Sequence, residues 1–186
     1  IFLVIFPEFK YLDRIEKFYY LLKLNITTQT PEEIFSLLLV DKKNNFEYFC
    51  HKYKISNKLK KDLSFIASNY RKYKEEKNFF KKDLKKNIYK LGKINIKNLI
   101  NFIYCAEKNF SFNLLRKVDS DVDKMKVPNL PFNGKYVMNQ GLEDGKKIGL
   151  ALTELEKEWI ENDFNLKAQE AISIVEKIKK LNILNS

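Results

Sequence analysis

The sequence predicts an all-α fold, and three observations support this prediction. The 186 residues include only 5 Gly and 4 Pro, too few for the many tight turns of a β-barrel or β-sandwich. Apolar side chains recur at intervals of three and four residues along most of the chain, which is the period of an amphipathic helix. Hydrophobic residues make up 45% of the composition, so a packed core is expected.

Helix signals follow one another through the first half of the chain. The first helix is expected over roughly residues 8–24, with Leu12, Ile15, Tyr19 and Leu22 on its buried face.

A second helix is expected after Thr30, which can cap it, because Pro31 suits the first turn and Glu33 completes a capping box. A third is short, and Ser56 is expected to cap a longer fourth. Their predicted buried residues are Ile34, Leu37, Leu38, Phe46, Phe49, Cys50, Tyr53, Leu59, Leu63, Ile66 and Tyr70.

Two further helices are predicted before residue 117. Gly92 is expected to end one of them, and Asn95 to cap the next. Their apolar faces comprise Phe80, Leu84, Ile88 and Leu91, and then Leu99, Ile103 and Ala106.

Two prolines mark a change in organisation. Residues 117–134 contain Pro128 and Pro131 and no evident apolar period, which indicates a connector. We expect it to join a helical body, residues 1–116, to a small helical hairpin tail, residues 135–186. The predicted apolar faces of the tail are Ile148, Leu152, Leu155 and Trp159, and then Ala168, Ile172, Val175 and Ile178.

Positive charge is concentrated in one segment. The formal charge is +11, and residues 51–97 hold 16 Lys or Arg against 4 Asp or Glu, while both flanks are close to neutral. Such a segment is typical of a polyanion-binding face, of a membrane-surface face, or of a compositional bias toward lysine, since 32 of the 35 basic residues are Lys. Bias alone would not leave the flanks neutral, so contact with phosphate is favoured.

Alternating carboxylates invite a metal-binding interpretation that their spacing does not support. A calcium loop beginning at Asp119 would need Gly and Glu at the positions of Lys124 and Leu130. Asp119, Asp121 and Asp123 are therefore expected to be solvated, and no metal site or cofactor is expected.

The two cysteines indicate a reduced, cytoplasmic protein, because they cannot form a disulfide framework. Cys50 beside His51 is interpreted as a core cysteine next to a surface histidine, so no catalytic residue is assigned. The opening run IFLVIF is too short to cross a membrane and is expected to be an end of a strand or helix in a piece of a longer protein.

Glycines shape the segment that begins at Pro128. Gly134 is expected to open a short helix, Gly141 to end it, and Gly145 to form a turn before the next helix. The predicted arrangement is a helical hairpin.

Free backbone N–H groups at the start of the second hairpin helix would form a phosphate site beside Lys146 and Lys147. Gly149 in its first turn would allow another molecule to approach closely. The alternative is a hairpin whose glycines serve only packing.

At these residues the chain resembles the C-terminal region of bacterial tRNA nucleotidyltransferases (CCA-adding enzymes) and of related poly(A) polymerases. The family has Asp, Leu and Pro where this chain has Tyr136, Val137 and Lys146. The matching positions are Pro131, Gly134, Lys135, Met138, Gly141, Gly145, Ile148, Gly149, Leu152, Leu155, Glu156 and Trp159.

The resemblance implies a body and tail that hold RNA, while a separate head carries the magnesium-dependent chemistry. The implied partners are tRNA or another structured RNA, a nucleotidyltransferase head domain, and no membrane. The residues expected to meet RNA phosphate are Lys135, Gly145, Lys146, Lys147 and Gly149, and some lysines of residues 51–97 would extend this contact. By itself the chain is expected not to add nucleotides.

Two rival hypotheses remain. The first is a helical protein-interaction module that docks to a separately encoded catalytic head and has no RNA affinity of its own. The second is a peripheral membrane binder, which ranks last because the apolar stripes resemble core-facing surfaces.

Overall fold

The computed structural model describes residues 6–41, 43–76 and 78–181. These residues form ten α-helices and no β-strand, which confirms the predicted all-α fold. None of the helices in these ranges combines the length and the hydrophobicity needed to cross a membrane.

Two compact units make up the chain, Ile1–Met125 (unit 1) and Lys126–Ser186 (unit 2), and each is described by itself. Of the opening apolar run, residues 1–5 lie outside the described residues. Phe6 stacks on Phe9, with ring centroids 5.0 Å apart.

In unit 1, the described residues contain seven helices arranged around α6. This helix packs against α1, α2, α4, α5 and α7, so nearly every residue on its inner faces is removed from water. The helices are α1 Asp13–Lys23, α2 Pro31–Leu39, α3 Asn45–Lys52, α4 Asn57–Glu75, α5 Leu84–Leu91, α6 Lys93–Ala106 and α7 Phe112–Lys124. The buried residues of α6 are Ile96, Leu99, Ile100, Asn101, Phe102, Ile103 and Cys105.

Local sequence signals place three helix ends where the sequence predicts them. The Thr30 hydroxyl accepts a hydrogen bond from the Glu33 backbone N–H at 3.2 Å, and the Glu33 carboxylate accepts one from the Thr30 N–H at 3.2 Å. The Ser56 hydroxyl accepts from the Leu59 N–H at 3.3 Å. Gly92 ends α5 with a φ of +83°, a conformation that side chains other than glycine rarely adopt. The predicted caps of α2 and α4 and the predicted end of α5 are confirmed.

The buried face of α1 is not the predicted one. Leu12 and Tyr19 are 44% and 54% exposed, and the helix begins at Asp13. The apolar residues of this segment fit two overlapping helical faces, and packing selects the face that carries Arg14, since its guanidinium finds partners on α2. The buried residues of α1 are Arg14, Phe18 and Leu21.

Arg14 joins α1 to the C-terminal end of α2. The side chain is 6% exposed, and Nη1 donates hydrogen bonds to the carbonyl oxygens of Leu37 at 3.0 Å and Val40 at 2.6 Å. The end of a helix leaves such carbonyls without partners and carries partial negative charge, which favours a cation there. The guanidinium carbon also lies 3.8 Å from the centre of the Tyr11 ring. Burial lowers the pKa of the Arg14 guanidinium.

The prediction that Asn95 caps α6 is wrong. The helix begins at Lys93, immediately after Gly92, so Asn95 lies inside its first turn. There the Asn95 amide donates a hydrogen bond at 2.8 Å to the carbonyl of Leu91 at the end of α5.

Residues 117–124, which were assigned to the connector, belong to α7. Ser111 caps this helix by accepting a hydrogen bond from the Leu114 N–H at 3.2 Å. Its apolar residues are spaced by three and four positions, but charged residues between them obscured the period. The buried residues are Leu115, Val118 and Val122. The segment without helix covers residues 125–133.

Unit 2 contains α8 Gly134–Asn139, α9 Gly145–Glu161 and α10 Ala168–Lys180. In it, α9 packs against both α8 and α10. Its core comprises Val137, Leu142, Ala151, Leu155, Ala171, Val175 and Ile178.

One predicted face of unit 2 is wrong, and one cap comes from a residue that the sequence analysis does not name. Ala168 and Ile172 are exposed, because the core-facing stripe of α10 passes through Ala171 instead. The helix α8 is capped although Tyr136 replaces the family's Asp, since the Asn133 side chain accepts a hydrogen bond from the Tyr136 N–H at 2.9 Å. Trp159, in contrast, is 3% exposed, as expected for a structural side chain.

The contacts of Arg14 predict a large loss of stability in Arg14→Met. The substitution removes two charged hydrogen bonds and leaves buried carbonyls unpaired, so the free energy of unfolding should fall by about 3 kcal/mol. Urea unfolding followed by circular dichroism measures this. Arg116→Met makes the same substitution at an exposed arginine and should change stability little. Equal effects of the two substitutions would contradict the assigned role of Arg14.

Candidate nucleic-acid interface

Ion pairs neutralise part of the basic segment 51–97. All the carboxylates involved come from outside that segment, so these lysines connect it to other parts of unit 1. Their charge is therefore partly used within the protein. The pairs are Lys52–Glu8 at 2.8 Å, Lys58–Glu32 at 3.3 Å, Lys74–Glu107 at 2.9 Å, Lys97–Asp119 at 3.2 Å and Lys97–Asp123 at 2.8 Å.

One face of α4 keeps its charge. Lys60, Lys61 and Arg71 form no ion pair or side-chain hydrogen bond with any described residue. At about 100° per residue, they lie with Ser64 and Ser68 within an arc of about 100°, along about 16 Å of the helix axis. We call these five residues the basic stripe.

The basic stripe lines a groove of about 580 Å³, to which α3 contributes Phe46 and Glu47. The Ser64 and Ser68 hydroxyls donate to the backbone carbonyls of Lys60 and Phe65 at 2.7 Å and 3.0 Å. Three cations against the single carboxylate of Glu47 leave the groove positively charged.

The hairpin residues predicted to meet phosphate lie in unit 2, and most of them are accessible. Lys135, Gly145, Lys146 and Gly149 are exposed. The start of α9 is nevertheless occupied by an acid, because the Asp144 carboxylate accepts a hydrogen bond from the Lys146 backbone N–H at 2.8 Å. This carboxylate satisfies one of the N–H groups and would repel an approaching phosphate.

Lys147 differs from the other predicted residues. It is half-buried, and its ammonium group donates a hydrogen bond at 3.0 Å to the carbonyl of Lys179, in the last turn of α10. A cation is favourable at this helix end. The side chain thus has an internal structural contact.

Packing within the chain does not require glycine at Gly145 or Gly149. A Cβ atom added at either position would meet no other atom within 4 Å. Gly141 differs, because its φ is +85° and an added Cβ would lie 3.1 Å from Nζ of Lys179. The explanation by packing alone therefore fits Gly141 better than the two glycines of α9.

The two cysteine thiols are not placed for nucleophilic chemistry. Cys50 and Cys105 are buried, and burial raises the pKa of both thiols, that of Cys105 to about 12. Neither thiol forms the thiolate readily at neutral pH. His51 is exposed, so the prediction of a core cysteine beside a surface histidine is confirmed.

The prediction that the alternating aspartates are solvated is wrong for Asp119 and Asp123, which form ion pairs. Lys97 bridges Asp119 and Asp123, and its hydrogen bond lowers the pKa of the Asp123 carboxyl. Within the part of the chain that the structure describes, no group of three or more His, Cys, Asp or Glu side chains is placed to hold a metal ion.

The helices and their connections define an all-α module that consists of a larger body and a small hairpin unit. A sequence model of the family described as tRNA nucleotidyltransferase domain 2 matches residues 26–175, about four fifths of the chain. The chain belongs to this family, and the resemblance seen in its sequence is confirmed. Neither a curated protein nor a solved structure matches it.

The sequence analysis predicts the segment that carries the positive charge, but it does not predict the face of α4 on which the basic stripe lies. Lys60, Ser64, Ser68 and Arg71 follow one another at intervals of three and four residues, the same period that identifies apolar faces. Applied to polar residues, this period would have found the basic stripe.

The contact of Lys147 predicts a structural effect that Lys146 lacks. Lys147→Met should lower the stability of unit 2 by about 1 kcal/mol, because a charged hydrogen bond to a helix end is lost. Lys146→Met should leave it unchanged. Urea unfolding followed by the fluorescence of Trp159, the one tryptophan of the sequence, reports on this unit. Equal stability of the two variants would contradict the structural role of Lys147.

Proposed function

We propose that unit 1 holds structured RNA by its backbone along the basic stripe, and that tRNA is the RNA class, as the family indicates. The observation that carries this proposal is the contrast within one lysine-rich segment. Lys52, Lys58, Lys74 and Lys97 pair with carboxylates from outside the segment, whereas Lys60, Lys61 and Arg71 have no such partner and lie together on one face of α4. Unpaired cations aligned on one helix face are suited to a chain of phosphates.

The chemistry of the stripe favours recognition of shape and phosphate. Lysine binds phosphate as a mobile point charge. The Ser64 and Ser68 hydroxyls would have to turn away from their carbonyl partners to donate to a phosphate. Double-stranded RNA offers its backbone and 2′-hydroxyl groups more readily than its base edges, so a surface of this kind suits folded RNA.

The hairpin of unit 2 is proposed as a second, weaker RNA contact. Exposed Lys135 and Lys146, together with the uncrowded Gly145 and Gly149, support it. The negative charge of the Asp144 carboxylate weakens the case for phosphate binding there. The Lys147 ammonium group is already engaged in its hydrogen bond to the carbonyl of Lys179.

The basic stripe predicts the salt dependence of RNA binding. The triple substitution Lys60→Ala, Lys61→Ala and Arg71→Ala should weaken binding of a tRNA transcript. It should also reduce the slope of log affinity against log salt by up to about three units, since each lost phosphate contact removes about one. Fluorescence anisotropy over a series of salt concentrations measures both quantities.

A matched control removes the same charge from unit 1 outside the segment. Lys10, Lys108 and Arg116 are exposed, and their replacement by alanine should leave the salt slope close to that of the parent. Equal losses in the two triple variants would reduce the effect to net charge and contradict the stripe. If the parent binds no tRNA, the protein-interaction hypothesis is favoured.

Asp144 tests the hairpin contact without disturbing the fold. Asn caps helices about as well as Asp, so Asp144→Asn keeps the cap and removes the charge. If phosphate meets the start of α9, affinity for tRNA should rise by about two- to fivefold. Anisotropy at constant salt measures the change, and an unchanged affinity would exclude the start of α9 as an RNA contact.

A further inference from the structure

Unit 1 contains a cavity of about 580 Å³ framed by α1, α2, α4 and α6, separate from the groove of the basic stripe. Its apolar walls include Phe18 from α1, Phe65 from α4 and Phe102 from α6. The α6 wall also presents Asn98 and Asn101, which are three residues apart and therefore lie on one side of that helix.

Asn101 is a largely buried residue whose side-chain amide has no partner among the described residues. The residue is 8% exposed, and its side chain forms no hydrogen bond with any described residue. The other buried polar side chains of the described residues are all bonded; these are Arg14, Ser36, Asp41 and Asn69. The donor and acceptor of this amide are therefore free to bond a ligand.

The amide of Asn101 remains reachable from the cavity. Every side-chain nitrogen or oxygen that is fully shielded in the described residues has a partner, so the unpartnered Asn101 amide must keep some exposure. Asn98, next to it on the cavity wall, is half-buried and likewise forms no side-chain hydrogen bond with a described residue.

Three of the five charged side chains that line the cavity have partners within the chain. Glu32 pairs with Lys58 at 3.3 Å, and the Glu33 carboxylate accepts hydrogen bonds from the hydroxyls of Thr27 at 2.7 Å and Thr30 at 3.1 Å. Lys61 and Asp62, of opposite sign, remain. The interior therefore suits an uncharged, planar, largely apolar group that offers a hydrogen-bond donor beside an acceptor.

We propose that this cavity is a nucleobase-binding site in which Asn101 recognises the base edge. A side-chain amide matches the adjacent donor and acceptor of a base, and Asn pairs in this two-bond manner with adenine. The aromatic walls supply the apolar contact that a base needs once it leaves water or its stack. The volume is within the range of small-molecule sites.

The position of the cavity connects it to the basic stripe. Lys61 and Phe65 line both the cavity and the groove of the stripe. The base could belong to a free nucleotide or to a nucleotide turned out of an RNA whose backbone follows the stripe. Both sources present the same chemistry, and binding of a free base does not depend on the proposed RNA contact.

The key variant is Asn101→Leu, which removes the amide at similar volume. Because the amide has no hydrogen bond within the described residues to lose, the variant should melt at or above the temperature of the parent. A clear drop in melting temperature would mean that the amide has an internal role and would overturn the proposal.

Binding is measured with two pairs of probes. Adenosine is compared with ribose by calorimetry, and a short oligoadenylate is compared with the same oligomer carrying one abasic site. We expect the parent to prefer adenosine, or the intact oligomer, and Asn101→Leu to lose at least tenfold in that preference. Asn109→Leu, at an exposed position outside the cavity, should bind like the parent.

The outcome separates the sources and separates this proposal from the RNA contact. Adenosine binding that requires Asn101 supports a free nucleotide, and discrimination against the abasic oligomer alone supports a base turned out of RNA. The pair Lys60→Ala and Arg71→Ala, neither of which lines the cavity, should weaken oligomer binding but not adenosine binding. If the parent shows neither preference, or if Asn101→Leu keeps both, the nucleobase site is wrong.

Discussion

The buried guanidinium of Arg14 is the constraint on which unit 1 depends. Its Nη1 atom donates to two carbonyls at the end of α2, and its planar group lies 3.8 Å from the centre of the Tyr11 ring, a contact for which arginine is better suited than lysine. The same group lies 5.5 Å from the centre of the Phe102 ring on α6, so α1, α2 and α6 meet around it. These three helices form most of the cavity wall. In a sequence with 32 Lys and 3 Arg, an arginine stands at the position where a planar cation contacts both an aromatic ring and a helix end.

Ion pairing also determines where unit 1 keeps its positive charge. Carboxylates from the flanks, such as Glu8 and Glu107, neutralise lysines of the basic segment where helices meet, and Glu107 also accepts a hydrogen bond from Tyr70. Three of the cations left without partners, Lys60, Lys61 and Arg71, lie on one face of α4. A nucleic-acid ligand presents both a phosphate backbone and bases. The unpaired cations of the basic stripe suit the phosphates, and the neighbouring cavity lined by amides suits a base.

Helix caps could be predicted from the sequence, whereas the face of each helix that is buried could not always be predicted. The caps at Thr30 and Ser56 depend on neighbours within three residues, and both were predicted. The buried face of α1 depends on carbonyls contributed by α2, so Tyr19 was placed inside although it is exposed. Asn101 follows an apolar residue in a strongly apolar helix, and only the packing of four helices shows that its amide faces a cavity.

Chemical footprinting of lysines in the unmodified protein tests the central claim, that the face of α4 holds RNA. The chain is treated with an acetylating reagent with and without tRNA, and the modification of each lysine is read by mass spectrometry. Our account predicts that tRNA slows the modification of Lys60 and Lys61 but not that of Lys10 and Lys108, which are exposed outside the basic segment. Equal modification rates for Lys60 and Lys61 with and without bound tRNA would contradict it.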